Sequence, residues 1–499
     1  MTKRISRRFF LGAAAAALVP SYGMANAPKV SLRPVGRQDD LLKSSQPSIE
    51  ELIAAAKLNG TVAFCVANTA TGKLLESHDA EQGLPPASVA KALTAGYALA
   101  HLGEDFRFET RVLATGGVIE GVVQGDLVLA GGGDPALDTD GLAVLAKRLA
   151  EVGITGVKGG FKVWGGKYPY VRGIDAEQPD HVGYNPAVSG LNLNYNRVHF
   201  EWRQAGAGYN VSMEARTETY RPGVRMAHMA VASRSLPIYT YADAGGRDEW
   251  TVAKSALGKA GSRWLPVRKP QLYAGEVFQS LAKANGITLK APEVVDAMPA
   301  GAQEWAKLES APLREVLHDM LKWSTNLTAE LVGLTATSRR LGRMPASLSE
   351  SAAQLNTWAA ESLGVPGLAL VDHSGLGDGS RVKASDMMAA LAAMHRDRML
   401  KPILKEFTMR DANRKVIENH PIKVHAKTGT LNFVSGLAGF ADLPDGTELV
   451  FAIFTADLDR RATLSMDERE SPEGGASWNV RAKTLQQKLI ERWGVLYAA

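Results

Sequence analysis

The spacing of hydrophobic and polar positions predicts alternating helices and strands in the N-terminal part of the chain. Residues 48–58 show amphipathic helical spacing behind a capping serine, and residues 61–67 form a β-rich apolar run. Pro85-Pro86-Ala87 interrupts the pattern, and residues 89–101 are rich in alanine and leucine. This arrangement predicts a helix that Ser88 opens.

The pattern changes to β-structure at about residue 105 and becomes helical again near residue 311. Short β-type runs and turns rich in Gly, Tyr and Asn continue to about residue 265, with one predicted helix over residues 141–152. Residues 311–341 are predicted to be helical. The C-terminal part contains three predicted strands and a closing amphipathic helix, at 424–427, 436–442, 448–455 and 482–493.

These elements predict an α/β (α+β) fold in which both ends of the chain form one unit, with a central antiparallel sheet flanked by helices. The stretch between the two ends is too long for a connection inside such a unit. We therefore predict that residues 26–104 and 306–499 form the catalytic unit. Residues 105–305 are predicted to form one or more inserted β-rich domains.

The composition is that of an ordinary globular protein, with 499 residues, 45% of them hydrophobic and 22% charged. The formal net charge is +5, but Lys3, Arg4, Arg7 and Arg8 lie in the first 25 residues, and +5 minus 4 leaves +1 for the remainder. A nearly neutral chain without basic runs gives no indication of nucleic-acid binding. The single cysteine, Cys65, excludes an intramolecular disulfide and is expected to be buried in a strand.

The first 25 residues predict an export signal. Basic residues precede the apolar stretch 9–19, which is too short to span a bilayer, and small residues follow it. Residues 6–12 resemble the twin-arginine consensus, and a general secretory signal is the alternative. Cleavage is expected after Ala25. We expect the mature protein in the periplasm, either soluble or peripherally attached.

Three short motifs occur in order along the chain. They are Ser88-Val89-Ala90-Lys91, Ser324-Thr325-Asn326 and Lys427-Thr428-Gly429, which read as SxxK, SxN and KTG. Second copies of the first two occur at Ser280-Leu281-Ala282-Lys283, inside a predicted helix, and at Ser477-Trp478-Asn479, after the KTG. Order therefore singles out the first set, which indicates an acyl-transfer site with a serine nucleophile and a lysine base.

Each motif residue has a predicted chemical role. Ser88 would attack a carbonyl carbon, and Lys91, one helical turn later, would accept the proton of its hydroxyl. A lysine can act in this way when burial and a nearby cation, here Lys427, lower its pKa. Ser324 would relay a proton to the leaving nitrogen. Asn326 would hold both Lys91 and the substrate amide.

The KTG segment is predicted to bind the substrate. Lys427 and the hydroxyl groups of Thr428 and Thr430 would bind a substrate carboxylate. Gly429 would let the substrate backbone lie against the strand. The backbone N–H groups of Ser88 and Thr430 would form the oxyanion hole.

Longer segments extend the pattern beyond the three motifs. They are Gly125–Leu137 (GDLVLAGGGDPAL), Tyr184–Asn194, Asp372–Val382, Lys427–Leu431 (KTGTL) and Leu437–Phe440 (LAGF). Together they resemble the D-alanyl-D-alanine carboxypeptidase/endopeptidase family typified by penicillin-binding protein 4, peptidase family S13.

The resemblance implies a penicilloyl-serine-transferase, β-lactamase-like core with extra domains inserted between SxxK and SxN. It implies cleavage of the terminal D-Ala from peptidoglycan stem peptides, often with D,D-endopeptidase activity. β-Lactam antibiotics would acylate Ser88 as covalent inhibitors, and no metal or organic cofactor is expected. Asp180 is the nearest candidate for the family's acidic residue that contacts the substrate side chain. His373 replaces a common glycine and is predicted to be structural.

Two other functions share parts of this pattern. One is a penicillin-binding or peptidoglycan-binding scaffold without turnover, and the other is a β-lactamase-like hydrolase. Intact motifs argue against the scaffold. The deacylating Glu motif of class A β-lactamases is not found between Ser88 and Ser324. The sequence leaves the oligomeric state and the balance of carboxypeptidase to endopeptidase activity open.

Overall fold

The computed structural model describes residues 42–396, 400–411 and 413–498. The predicted export signal, its twin-arginine segment and its cleavage site lie outside these residues. The helices and strands below belong to one unit, Pro47–Ala499. The helices are α1 Ile49–Ala56, α2 Ala90–Leu102, α3 Thr139–Glu151, α4 Pro270–Ala284, α5 Leu313–Trp323, α6 Asn326–Leu341, α7 Leu348–Trp358, α8 Ala384–His395, α9 Leu458–Ala462 and α10 Gly475–Leu496.

The strands fall into three groups along the chain. The first two are β1 Thr61–Asn68 and β2 Leu74–His78. The middle group is β3 Glu109–Ala114, β4 Val118–Ile119, β5 Val122–Val123, β6 Leu127–Gly131, β7 Gly156–Val157, β8 Phe161–Trp164, β9 Arg197–Ala205, β10 Gly208–Glu214, β11 Ala227–Ala232, β12 Tyr239–Asp243, β13 Asp248–Ala253, β14 Ala260–Pro266, β15 Pro292–Val295 and β16 Gln303–Glu309. The last three are β17 Lys423–Leu431, β18 Val434–Asp442 and β19 Glu448–Ala456.

Both ends of the chain build one antiparallel sheet, in the order β17-β18-β19-β1-β2. Thr61 at the start of β1 pairs with Ala456 at the end of β19. Alternate residues of β1 face opposite layers, as the period of a strand requires. Cys65 lies in the apolar cluster that contains α2, whereas Phe64 lies in the cluster that contains α10. Helices therefore cover both faces of the sheet.

Helix α2 runs through this core and is buried on every side from Ala90 to Leu99. Its small side chains allow close approach on all faces, which explains the alanine-rich sequence. A 3₁₀ turn, Ala87–Val89, leads into it. Ser88 therefore lies inside a tight turn before the α-helix rather than at the helix cap that the sequence predicted.

Two other local predictions differ from the structure. The helical region 311–341 is broken between α5 and α6, because Ser324 adopts a left-handed backbone with φ 60°. Lys427 was expected at the end of a strand, but β17 continues through the KTG segment to Leu431 because it pairs with β18 along its whole length. Each difference lies in a candidate motif.

The middle strands pair with each other in four further sheets. Strand β3 pairs with β16, and Glu109 lies opposite Glu309. The first and last strands of the middle segment are therefore neighbours. One large apolar cluster spans residues 112–306. We therefore propose residues 105–305 as an inserted domain region in a unit whose other parts are 47–104 and 306–499. Residues 26–41 of the predicted catalytic unit lie outside the described residues, and β16 crosses the predicted boundary at 305. In the described ranges, no helix is long and apolar enough to cross a bilayer.

Candidate active site

Ser88 and Lys91 face each other at the start of α2. Lys91 Nζ lies 2.9 Å from Ser88 Oγ. The three-residue spacing places both side chains on one face of the helical turn, as predicted. The Lys91 side chain has no exposed surface, so its amine is held in one place by the surrounding protein.

Two more oxygen atoms complete the surroundings of the Lys91 amine. Its Nζ donates to Asn326 Oδ1 and to the Ser374 carbonyl, both at 2.7 Å. Burial lowers the pKa of Lys91 to about 7, against the nearby carboxylates of Asp372 and Glu330, which act to raise it. In the neutral amine, two N–H bonds point to Asn326 and Ser374, and the lone pair is free to accept the proton of Ser88.

Ser324 and Lys427 form a second pair. The left-handed turn at Ser324 orients its Oγ towards Lys427 Nζ, at 2.9 Å. Lys427 also donates to the Thr428 carbonyl at 2.7 Å. Burial, followed by the charges of Lys91 and Lys405, lowers the pKa of Lys427 well below its ordinary value. The sequence predicted that Lys427 contributes to the low pKa of Lys91. In the structure, burial is the main cause of that low pKa, and the charge of Lys91 instead helps to lower the pKa of Lys427.

Asn326 joins the predicted catalytic unit to the inserted segment. Its Oδ1 accepts from Lys91, and its Nδ2 donates to the backbone carbonyl of Tyr184 at 2.8 Å. The amide is thus fixed at both ends, which determines which of its atoms faces Lys91. Tyr184 begins one of the segments that carried the family resemblance, and it contributes here through its backbone.

Two buried carboxylates next to Lys91 were missed by the sequence analysis in this role. Glu330 accepts hydrogen bonds from the backbone N–H groups of His373 (3.1 Å) and Ser374 (2.9 Å). Asp372 accepts from those of Gly375 and Gly377, both at 2.6 Å. Burial raises the pKa of both carboxyl groups. They fix the loop that presents the Ser374 carbonyl to Lys91.

The position of Glu330 offered a signal that could have been used. It lies four residues after Asn326 in an apolar part of α6, so the two side chains share one helix face. An acidic residue among the apolar residues of a helix indicates a carboxylate that is buried, and a buried carboxylate needs hydrogen-bond partners. Asp372 begins one of the segments that carried the family resemblance, but its contacts could not be read from spacing.

His373 has the surroundings of a structural residue. It is fully buried, its Nε2 lies 2.7 Å from Ser351 Oγ, and its carbonyl accepts from Thr94 Oγ1 at 2.7 Å. Burial lowers its pKa to about 3, so the ring is neutral at ordinary pH. These contacts agree with the structural role that the sequence predicted.

A cavity of about 350 Å³ opens in front of these groups. Ser88, Ser324, Asn326 and Thr430 line it, whereas Thr428 is exposed on the same strand and lies outside the lining. A side chain at Gly429 would approach the Pro86 carbonyl to 2.6 Å. Gly429 is therefore required for packing of β17 against the turn that carries Ser88. The contact of the substrate backbone with this strand stays a prediction.

Asp180, like Thr428, is a predicted site residue that does not line this cavity. Its carboxylate pairs with Arg172 at 2.8 Å and lies 3.8 Å from Arg268. Gln178 and Tyr184 of the inserted segment reach the cavity instead. The bridges to the two arginines hold Asp180 away from the lining.

Ion pairs connect the cavity wall that contains Glu470 to the inserted segment. Glu470 lines the cavity and bonds His181 at 2.6 Å and Arg263 at 2.5 Å, both in the inserted segment. The hydrogen bond from His181, followed by that from Arg263, lowers the pKa of Glu470 to about 2. Arg469 pairs with Glu177 at 3.0 Å. The segment after β19 is therefore tied to the inserted region across the cavity.

The second copies of the motifs serve other purposes. Ser280 Oγ donates to the Glu276 carbonyl within α4, and Ser477 Oγ donates to the Gly474 carbonyl at the start of α10. Asn479 lines the edge of the cavity and donates to the Leu431 carbonyl at 3.2 Å. The order of the motifs thus distinguished the residues that meet at Lys91.

Comparison with known proteins gives a consistent result. Residues 45–471 match the model of the D-Ala-D-Ala carboxypeptidase 3 (S13) family. The chain is 27% identical over 477 residues to the D-alanyl-D-alanine carboxypeptidase of Actinomadura sp. (strain R39), covering 86% of this chain and 84% of that protein. It is 24% identical over 449 residues to the D-alanyl-D-alanine carboxypeptidase DacB of Haemophilus influenzae, covering 85% and 92%.

The crystal structure of penicillin binding protein 4 (dacB) from Haemophilus influenzae superimposes with a TM-score of 0.71. The match covers 89% of this chain and all of that one, at 20% sequence identity. The same protein complexed with a β-lactam matches with a TM-score of 0.69. These matches confirm the predicted fold class, an α/β (α+β) fold with a central antiparallel sheet flanked by helices.

Proposed function

The chain belongs to the D-Ala-D-Ala carboxypeptidase 3 (S13) family, and on this premise we propose that it cleaves the terminal D-Ala from peptidoglycan stem peptides through an acyl-enzyme on Ser88. The observation that carries the proposal is the buried Lys91 amine 2.9 Å from Ser88 Oγ. Its pKa of about 7 makes it an effective base near neutral pH. Asn326 and Ser374 orient it.

Acylation begins when Ser88 transfers its hydroxyl proton to Lys91 and its Oγ attacks the carbonyl carbon of the penultimate residue. The backbone N–H groups of Ser88 and Thr430 stabilise the oxyanion, and one such donor is worth about 3 kcal/mol of barrier. The C–N bond then breaks, and the proton held by Lys91 reaches the leaving nitrogen through Ser324, whose hydroxyl Lys427 orients. Water, deprotonated by Lys91, releases the acyl group and restores Ser88.

The terminal carboxylate of the substrate binds beside Lys427 with the hydroxyl group of Thr430, which lines the cavity, whereas Thr428, predicted to share this role, lies outside the lining. β-Lactams present a similar carboxylate and a strained amide, and they acylate Ser88 in the same way. Gln178 and Tyr184 supply the wall for the rest of the peptide. In place of the predicted role for Asp180, we propose that these two residues contact the substrate side chain.

We propose that the protein acts after export to the periplasm, where peptidoglycan lies. D,D-Endopeptidase activity follows from the same chemistry when the leaving nitrogen belongs to a cross-linked peptide. Ser88, Ser324, Asn326 and Thr430 line the cavity, and three oxygen atoms surround the Lys91 amine. A base positioned in this way argues against a scaffold without turnover.

One experiment tests the proposal. The purified protein is incubated with benzylpenicillin and with a pentapeptide ending in D-Ala-D-Ala, and intact mass and released D-Ala are measured. Ser88→Ala should abolish both the penicilloyl adduct and D-Ala release, whereas Ser280→Ala, in the second SxxK, should retain both. An adduct that persists in Ser88→Ala rejects the nucleophile. Absence of D-Ala release by the native protein indicates a scaffold, and fast penicillin turnover indicates a β-lactamase.

A further inference from the structure

A second, smaller cavity of about 130 Å³ adjoins the first. The two share Tyr184, Ser324 and Asn326 in their linings. The walls that belong to the smaller cavity alone include Tyr195, Arg197 and Trp323. The smaller cavity therefore lies within reach of a substrate bound at the SxN motif.

Arg197 is the charged group of this cavity, and it lacks an ion-pair partner. Within residues 42–396, 400–411 and 413–498, no carboxylate lies within ion-pair distance of its guanidinium, and no hydrogen bond is made by its buried Nε. The guanidinium carbon lies 5.3 Å from the ring centroid of Tyr195 and 5.7 Å from that of Trp264. Burial lowers the pKa of Arg197. A partly buried cation without a counter-charge is costly unless a ligand supplies one.

A neighbouring arginine shows how this region satisfies a buried guanidinium for structural purposes. Arg268 is almost fully buried and donates to the backbone carbonyls of Arg172, Asn185 and Asp180 at 2.7–2.8 Å. Arg197 has no comparable set of acceptors in the described part of the chain. The contrast indicates that the guanidinium of Arg197 is left available.

The remaining walls fit an anion attached to a short apolar chain. Trp323 is 67% exposed and Tyr184 is 44% exposed, so two aromatic surfaces flank the opening. The first turn of α6 borders the cavity, and Thr325 makes no side-chain cap to its N–H groups, which adds positive potential. The volume suits a carboxylate and its adjacent methylene groups rather than a larger ligand.

We propose that Arg197 binds a second carboxylate of the peptide substrate, separate from the terminal carboxylate held beside Lys427. This rests on the proposed function, because the substrate must lie at Ser88 and Asn326. The planar guanidinium offers two parallel N–H donors to one carboxylate. The carboxylate can belong to the acyl-donor chain or to the chain that leaves, and both present the same group to the cavity.

Two pairs of peptides separate these sources. One pair carries a free or an amidated carboxyl group on the acyl-donor chain. The other pair carries it on the leaving chain of a cross-linked peptide. The ratio of kcat/KM for free over amidated peptide is measured for the native protein, Arg197→Met and Arg197→Lys. Arg203→Met, an exposed arginine on the same strand β9, serves as the matched control.

We expect the native protein to prefer the free carboxylate by about tenfold in one of the two pairs. Arg197→Met should bring that ratio close to one, and Arg197→Lys should leave an intermediate ratio because it keeps the charge without the paired donors. The ratio should stay at the native value in Arg203→Met. The penicilloyl adduct, counted by intact mass, gives the folded fraction of each variant.

A ratio near one in the native protein for both pairs overturns the inference. So does a native ratio that survives in Arg197→Met. In either case adduct formation and D-Ala release by the native protein leave the proposed function standing. If the native protein forms no adduct and releases no D-Ala, the proposed function has failed and the inference fails with it.

Discussion

The substitution Glu330→Gln tests how the buried carboxylates act on the catalytic base. Glu330 is linked to Lys91 through one residue, because it accepts from the Ser374 N–H while the Ser374 carbonyl accepts from Lys91 Nζ. At an effective dielectric constant of about 20, a unit charge that lies one hydrogen-bonded residue away contributes on the order of 1–3 kcal/mol, or about 1–2 in pKa. The carboxylate favours the protonated amine, so its removal lowers the pKa of Lys91.

The assay is the rate of penicilloyl adduct formation as a function of pH. Acylation needs neutral Lys91, so the native rate should fall as pH drops below about 7. In Glu330→Gln this acid limb should move to lower pH, because a charge that favours the protonated amine has been removed. The plateau rate should also fall. The side-chain NH₂ of the new glutamine would face one of the two backbone N–H groups that Glu330 now accepts from, and losing that hydrogen bond costs about 1–3 kcal/mol. Glu315→Gln, exposed on α5, is the control.

An acid limb that stays in place would refute this reasoning about charge. Burial and the neighbouring Asp372 raise the pKa of Glu330. If Glu330 is already protonated near neutral pH, glutamine replaces one neutral group by another and the limb does not move. A reduced plateau without a shift would leave Glu330 with a positioning role only.

Three further predictions concern single sites. Gly375→Ala should slow adduct formation at least about tenfold, because its Cβ would collide with the Ala87 carbonyl next to Ser88. Gly72→Ala, also at positive φ but in open space, should have little effect on the same rate. Ser324→Ala should lower the rate of D-Ala release by about 100-fold or more, measured at saturating peptide, and a loss below tenfold would exclude the relay. Phe451→Ala removes a fully buried ring whose centroid lies 5.7 Å from that of Trp493. It should lower the free energy of unfolding, measured in urea, by about 3–5 kcal/mol. A variant as stable as the native protein would contradict the packing described for β19 and α10.

Local features of the fold and the site could be predicted because their causes are local. The spacing of Ser88 and Lys91 is fixed by helical geometry, which a few residues determine. The antiparallel pairing of β18 and β19 follows from two apolar runs joined by the turn around Gly446. The ordered motifs add long-range information, because their residues meet in space: Asn326 bonds Lys91, and Lys427 bonds Ser324.

The remaining features depend on packing that no short pattern encodes. The apolar spacing of 311–341 continues through both α5 and α6, so it does not reveal the left-handed turn at Ser324. Glu330 and Asp372 meet only when α6 packs against the loop that follows α7. Asp180 does not line the cavity, because Arg172 and Arg268 pair with its carboxylate, and spacing along the chain does not reveal such pairs.

The bond from Asn326 Nδ2 to the Tyr184 carbonyl has a consequence for recombining parts of this protein with relatives. Any residue type supplies a backbone carbonyl, so the amino acid at position 184 is free to diverge as far as this bond is concerned. The path of the backbone is not free, because the acceptor must stay 2.8 Å from the amide. A chimera with an exchanged inserted segment will keep the orientation of Asn326 only if the loop length around this position is preserved.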